Sequence, residues 1–306
     1  MINLASEPAS YTVKTFNQLG DLLLSRDITV PAFGRLDLDG GHVTAGPSVV
    51  GVHVIEPADI SQPYIAQLIR YGANAPAGYA PTAYDFAFPM LAKAGTGQKT
   101  VMGVSNRYGE DNWLEVINVL DISVDVRLSI LSQDGSQAFN QMLVLPPHAQ
   151  YHLKASDYLE DGAGGIAVVQ PTVSNSVIAQ SMFYHRNSSG SITRMFGTQS
   201  MSPSSYNVFG SFNLYLQMKN YLRVSNPSDQ VVEYRVTVNG PTVSSELEYV
   251  LQPGATTYLE LHDSETFHTS PDSYGVVVVT AKDSSVKLAS ELVRMQESFA
   301  VTTVVR

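Results

Sequence analysis

Apolar residues fall at every second position over long stretches of the chain. In "VDVRLSI", Val124, Val126, Leu128 and Ile130 alternate with Asp125, Arg127 and Ser129, and "VEYRVTV" from Val232 has the same pattern. A period of two puts one set of side chains on a buried face and the other in water, which predicts strands. The run from Val276 to Val279 is apolar throughout and predicts a strand at the centre of a packed sheet. Turn formers separate the runs: "QDGS" at Gln133, "NPSD" at Asn226, "DGAGG" at Asp161 and "NSSG" at Asn187. The nearest approach to an amphipathic helix, "FNQLGDLLLS" from Phe16, has Gly20 in its middle and reads as a hairpin.

The same order of strands is written three times. "NYLRVSNPSDQVVEYRVTV" from Asn220 lies over "NWLEVINVLDISVDVRLSI" from Asn112, and "INLASEPASYTVKTFNQLG" from Ile2 lies over "INVLDISVDVRLSILSQDG" from Ile117. These overlays put Asn3, Asn118 and Asn226 in one position, and Gly20 on Gly135. Pro-containing strand ends follow from Ile28, Leu143 and Tyr249, then apolar runs from Val49, Gly165 and Tyr274. Next come "YIAQLIRY", "VIAQSMFY" and "KLASELVR", which set Val177 against Lys287. Self-similarity at a fixed period marks repeated units. Seven or eight short strands per unit of about 100 residues point to a β-sandwich. The expectation is an all-β chain of three tandem antiparallel β-sandwich modules, Ig-like or jelly-roll-like, spanning 1–92, 93–200 and 201–306. Copy one lacks the two strands that precede the shared Asn, "TVMGVSN" and "NWLEVIN" in copy two, so self-association through this incomplete module is expected. The connectors "AKAGTGQ" and "QSMSPSS" predict limited hinging without a shared core.

Four landmarks in order, an Asn-x-x-Asp after a strand, a Val-Pro or Leu-Pro strand end, a "YGVVVV"-like run and an "IAQSMFYHR"-like strand, resemble the β-sandwich module of the bacterial sensory rhodopsin transducer family. They are also similar to modules found in tandem in bacterial exported proteins. The resemblance implies a bacterial, non-catalytic binding or assembly module, placed outside the cell, at its surface or in the periplasm.

Composition narrows the function. A net charge of −10 without a Lys/Arg cluster argues against a nucleic-acid partner. No stretch approaches the roughly 20 apolar residues of a membrane-spanning helix, and the opening "MINLASEPAS" does not read as a signal peptide, so the chain reads as soluble as given. The absence of cysteine excludes disulfides, thiol catalysis and Cys-based zinc sites. No nucleophile, phosphate-loop or metalloprotease motif appears, and no histidine recurs between copies. The expectation is therefore no enzyme, no catalytic residue and no cofactor.

Three groups of residues remain as candidates. The loop "SNRYGEDNW" gathers Asn106, Arg107, Tyr108, Asp111 and Trp113, an aromatic face with planar hydrogen-bonding groups suited to a glycan or protein surface ligand. Against this stands packing, since Trp113 aligns with Tyr221 at the start of a strand. Asp157, Glu160 and Asp161 form an acidic loop that offers oxygen ligands to calcium, with a solvated turn as the alternative. Asn3, Asn118 and Asn226 end a strand before a turn, where the side chain bonds backbone amides two or three residues on. The functional expectation is a non-enzymatic repeat protein serving as a cell-surface spacer or adhesion-type array. A carbohydrate-binding array and the accessory region of a larger enzyme are the alternatives.

Overall fold

The computed structural model describes residues 1–38, 50–72, 86–95, 97, 99–107, 109–203, 205–241, 244–296 and 299–305. The chain is all-β and its sheets are antiparallel. In copy one the strands are β1 (Ile2–Asn3), β2 (Ala9–Asn17), β3 (Leu22–Val30), β4 (Gly51–Pro57), β5 (Tyr64–Ile65), β6 (Gln67–Gly72) and β7 (Phe86–Leu91). Copy two has β8 (Thr100–Ser105), β9 (Glu110–Asn118), β10 (Val124–Ser132), β11 (Gln137–Leu145), β12 (Gln150–Lys154), β13 (Gly164–Pro171), β14 (Val177–Arg186) and β15 (Ile192–Gln199). Copy three has β16 (Asn207–Asn213), β17 (Lys219–Ser225), β18 (Val232–Asn239), β19 (Ser244–Leu251), β20 (Thr256–Glu260), β21 (Tyr274–Ala281), β22 (Ala289–Gln296) and β23 (Phe299–Val305).

Copy two forms two four-stranded sheets, ordered β11-β10-β13-β8 and β12-β9-β14-β15, and copy three forms β19-β18-β21-β16 and β20-β17-β22-β23. The alternating sequence explains this. Val124, Val126, Leu128 and Ile130 are buried to 1% exposure or less and meet Leu114 and Val116 of the other sheet in one core. Val232, Tyr234, Val236 and Val238 do the same in copy three, with Leu222 and Val224 opposite. The Val276–Val279 run differs from expectation. β21 is central in its sheet, yet Val276 is 42% exposed while Val277 and Val279 are buried. An antiparallel sheet packs one face, and valine on the other reflects strand propensity.

Copy one is smaller. Among the described residues it has a three-stranded sheet β3-β2-β4 and two-stranded pairs β1-β5 and β6-β7. The counterparts of β4, namely β13 and β21, pair on both edges, whereas among the described residues β4 pairs with β2 alone. Its interior is also more polar. Where copy two pairs Ile130 with Ala167 and copy three Val238 with Val277, copy one pairs Thr15 with His53, joined by a 2.9 Å hydrogen bond. Burial and the nearby Arg26 hold His53 below its usual imidazole range.

Strand pairing corrects one alignment. Asn118 faces Val177, and Ser225 faces Ala289, so Val177 corresponds to Leu288 rather than Lys287, and Gln180 to Glu291. The connectors are not simple hinges either. Phe88 and Met90 of copy one, Met182, Phe183, Met195 and Phe196 of copy two, and Val293 and Met295 of copy three form one buried apolar cluster.

Candidate functional site at the junctions between copies

Each shared asparagine organises a loop. Asn118 is fully buried; its Oδ1 accepts from Leu120 N at 2.9 Å, and its Nδ2 donates to the carbonyls of Ile122, Leu145 and Pro146 at 2.7, 3.1 and 2.8 Å. Asn3 repeats this with Ala5 N and the carbonyls of Glu7, Val30 and Pro31. Asn226 repeats it with Ser228 N and the carbonyls of Gln230, Leu251 and Gln252. The bond to residue i+2 is the turn geometry read from sequence. The amide's grip on the Pro-containing strand end, some 27 residues on, was not legible, because it is a tertiary contact.

That strand end turns over a residue with left-handed backbone in every copy: Phe33 (φ 51°), His148 (φ 56°) and Gly254 (φ 72°). The loop is closed by Gly34 N to Pro31 O, Ala149 N to Pro146 O and Ala255 N to Gln252 O at 2.9, 3.1 and 3.1 Å. Asn3 N, Asn118 N and Asn226 N then donate to the carbonyls of Gly34, Ala149 and Ala255.

In copies two and three this loop receives the hairpin turn of the preceding copy. Gln150 N donates to Gln18 O at 2.9 Å, and Thr256 N donates to Gln133 O at 2.9 Å. Gly20 (φ 92°) and Gly135 (φ 90°) sit so close to the carbonyls of Pro147 and Pro253 that a Cβ would overlap them. Phe16 stacks on His148 at 4.0 Å, and its counterpart Leu131 lies against Gly254. The two junctions therefore use the same atoms of the same turn.

Beside each turn, the outer face of the following copy's sheet carries a buried ionic contact. At the first junction Arg70 of β6 holds Glu115 of β9 in a bidentate pair at 3.0 and 2.8 Å, with Gln180 on the same carboxylate. Burial raises the Glu115 pKa, but the bonds and charge of Arg70, aided by Gln180, hold it below the ordinary carboxylate value. At the second junction the corresponding residues are Arg223 and Glu291, paired and each 4% exposed, and Thr198 of copy two donates to Glu291 at 2.7 Å. Gly103 leaves the space that the Arg223 guanidinium fills, and Tyr258 donates to Val104 O and accepts from Gly165 N, both at 3.0 Å.

The loop singled out from sequence lies partly in this second junction. Asn106 Nδ2 donates to Leu159 O at 3.0 Å, and Arg107 Nε donates to Gly162 O at 2.9 Å with its guanidinium 4.3 Å from the Tyr258 ring centre. Asp111 lies in ion pairs with Arg186 and Lys154 at 2.7 and 3.1 Å, which hold its pKa low. Trp113, 36% exposed, stands on the same outer strand face as Asp111 and Glu115. Tyr108 lies outside the described residues. The structure thus brings Asn106 and Arg107 to the Leu159–Gly162 loop, whereas Asp111 is engaged by its own sheet. Glu110 belongs to the same loop, and its burial is not foreseen from sequence. It is 4% exposed in a cleft lined by Ser105, Arg107, Phe183, Phe196, Tyr221, Arg223 and Tyr258, and its Oε1 has no hydrogen-bond partner among the described residues. Burial pushes its pKa up to about 7 against the opposing charges of Arg194 and Arg223.

The acidic loop does not converge. Asp157 pairs with Lys154 at 3.3 Å, and no group of three acidic or histidine side chains able to hold a metal ion occurs among the described residues, Glu160 and Asp161 included. In copy three Asp263 instead caps α1 (Ser264–Phe267), accepting from Glu265 N and Thr266 N. Among the described residues no helix is long and apolar enough to cross a membrane. No protein-family model matches this chain, and comparison with curated proteins finds no match.

Proposed function

We propose that the chain is a non-enzymatic repeat protein in which three tandem β-sandwich modules, 1–92, 93–200 and 201–306, are docked in fixed geometry as a structural or adhesion-type array. The observation that carries this reading is the duplicated junction: the same backbone hydrogen bond, the same left-handed glycine and the same receiving loop at both boundaries. An interface repeated with the same atoms sets spacing and orientation, which is what a spacer supplies. The resemblance to bacterial transducer and exported modules accords with a cell-surface or periplasmic setting.

Small-angle scattering tests the arrangement. A single compact body of this length has a radius of gyration of roughly 19 Å, and three separate bodies strung end to end have about 30 Å or more. The apolar cluster contributed by all three copies draws them together. The array reading therefore expects about 24 Å, from three bodies of about 13 Å with centres about 25 Å apart; a value near 30 Å with the broad profile of a flexible string would refute fixed docking.

A binding array is the second reading, favoured by the half-exposed Trp113 and the unpartnered Glu110 carboxylate oxygen. Trp113 is the only tryptophan, so its fluorescence reports on that face alone. Quenching by an added glycan supports this reading; an unchanged spectrum leaves Trp113 as packing.

A further inference from the structure

The receiving loop is built three times and filled twice. In copies two and three the surface around it is covered: Ile117 and His148 are 7% and 8% exposed, and their counterparts Ser225 and Gly254 are buried. In copy one the same positions are Ile2 and Phe33, at 38% and 72% exposure, with Ile65 beside them at 41%. Ile65 is the cross-strand partner of Ile2, as Ile178 is of Ile117. An exposed apolar patch of this kind marks an interaction surface. Phe33 is presented on a left-handed residue, a conformation disfavoured for a side chain of its size, yet the loop closes with the same hydrogen bonds as its filled counterparts. Among the described residues the surface is organised without an occupant.

We propose that the Pro31–Gly34 loop, with Ile2 and Ile65, is a receptor for the β-hairpin turn of a like module other than these three, so that a further module docks head to tail on the first copy. The proposal rests on the array reading above. The occupant's chemistry follows from the two filled receptors. It is a five-residue turn in a hairpin whose register shifts by one residue just before the turn, with an accepting carbonyl at its second position and glycine at its fourth, as in Asn17–Asp21 and Ser132–Ser136. A second copy of this chain does not supply that turn. In copy three Asn239 pairs directly with Ser244, which leaves four residues, and the fourth of them is Val243. Heterologous contacts that do not close on themselves build linear assemblies; here the first copy is the one that receives.

The test grafts the missing half. Residues 240–243 are replaced in the full chain by the sequence of Ser132–Ser136, and sedimentation velocity is compared with the unaltered protein. The grafted chain is expected to form concentration-dependent head-to-tail oligomers that disappear on Phe33→Asp, while the unaltered chain stays monomeric. A grafted chain that is folded by circular dichroism and remains monomeric overturns the proposal. Oligomers of the unaltered chain that are lost on Phe33→Asp overturn the assignment of the occupant to a module other than these three. Should the graft not fold, the unaltered protein is titrated with a cyclised peptide spanning Ile130 to Phe139. Amide shifts centred on Phe33 and Gly34, lost with the Gly135→Ala peptide, are expected; no shift at these amides contradicts the receptor. Inter-copy distances in the unaltered chain test the array itself and do not depend on the graft.

Discussion

Replacing Gly135 by alanine isolates what a junction contributes. Alanine at φ 90° costs about 1–2 kcal/mol for the left-handed backbone alone. Its Cβ would also overlap Pro253 O, so the turn must withdraw and the Thr256 N to Gln133 O bond opens. Thr256 is 2% exposed, and stranding a buried donor costs about 1–3 kcal/mol. The sum is about 2–5 kcal/mol. Gly190 is an internal control: its φ is 82°, its N–H closes a turn onto Asn187 O as Gly135 N does onto Ser132 O, and a Cβ there would meet nothing within 4 Å. Gly190→Ala therefore bears only the backbone cost. Urea denaturation of both variants, with hydrogen exchange at the Thr256 amide, should separate them by about 2 kcal/mol, the cost of the stranded donor. Exchange should rise only in Gly135→Ala. Equal stabilities with an unchanged Thr256 amide would refute the junction argument.

Further outcomes follow from the buried charges and the shared asparagine. Arg70→Met should cost about 3–5 kcal/mol by leaving Glu115 buried without its partner, and the double change with Glu115→Leu should recover most of it in a thermodynamic cycle. Glu110 has a folded pKa of about 7, above the ordinary glutamate value of 4.5, so the folded state holds the extra proton and stability should decline as pH rises from about 4.5 to 7. The full loss is on the order of 3 kcal/mol, and Glu110→Gln should abolish that slope in melts taken across this range. Asn118→Asp should destabilise more than Asn118→Ala, since it sets a carboxylate against the carbonyls of Ile122, Leu145 and Pro146; chemical denaturation of the two variants reads the difference.

Strand positions and copy order were legible because the period-two pattern depends only on local alternation. The Asn turns were legible for the same reason. What escaped was tertiary. "DGAGG" reads as a turn, yet Gly164 and Gly165 begin β13, and a Cβ on Gly164 would collide with the Tyr258 hydroxyl of the next copy. Glu110 looks like any loop acid, and its burial depends on Tyr221, Arg223 and Tyr258, more than 100 residues away in sequence. The polar connectors suggested hinges, because the apolar side chains that join the copies lie on β7, β14, β15 and β22 rather than in the connectors themselves.

Distances between equivalent positions test the repeated junction most directly. Ser10, Asp125 and Glu233 are exposed, correspond to one another, and accept a backbone bond in the same way from Ala58, Thr172 and Lys282 at 2.9 Å each. The chain has no native cysteine, so Ser10→Cys with Asp125→Cys, and Asp125→Cys with Glu233→Cys, place spin labels without competition. Pulsed electron resonance should give two narrow distributions with the same mean, because one docking geometry relates each copy to the next. Broad distributions, or narrow ones with clearly different means, would contradict the account.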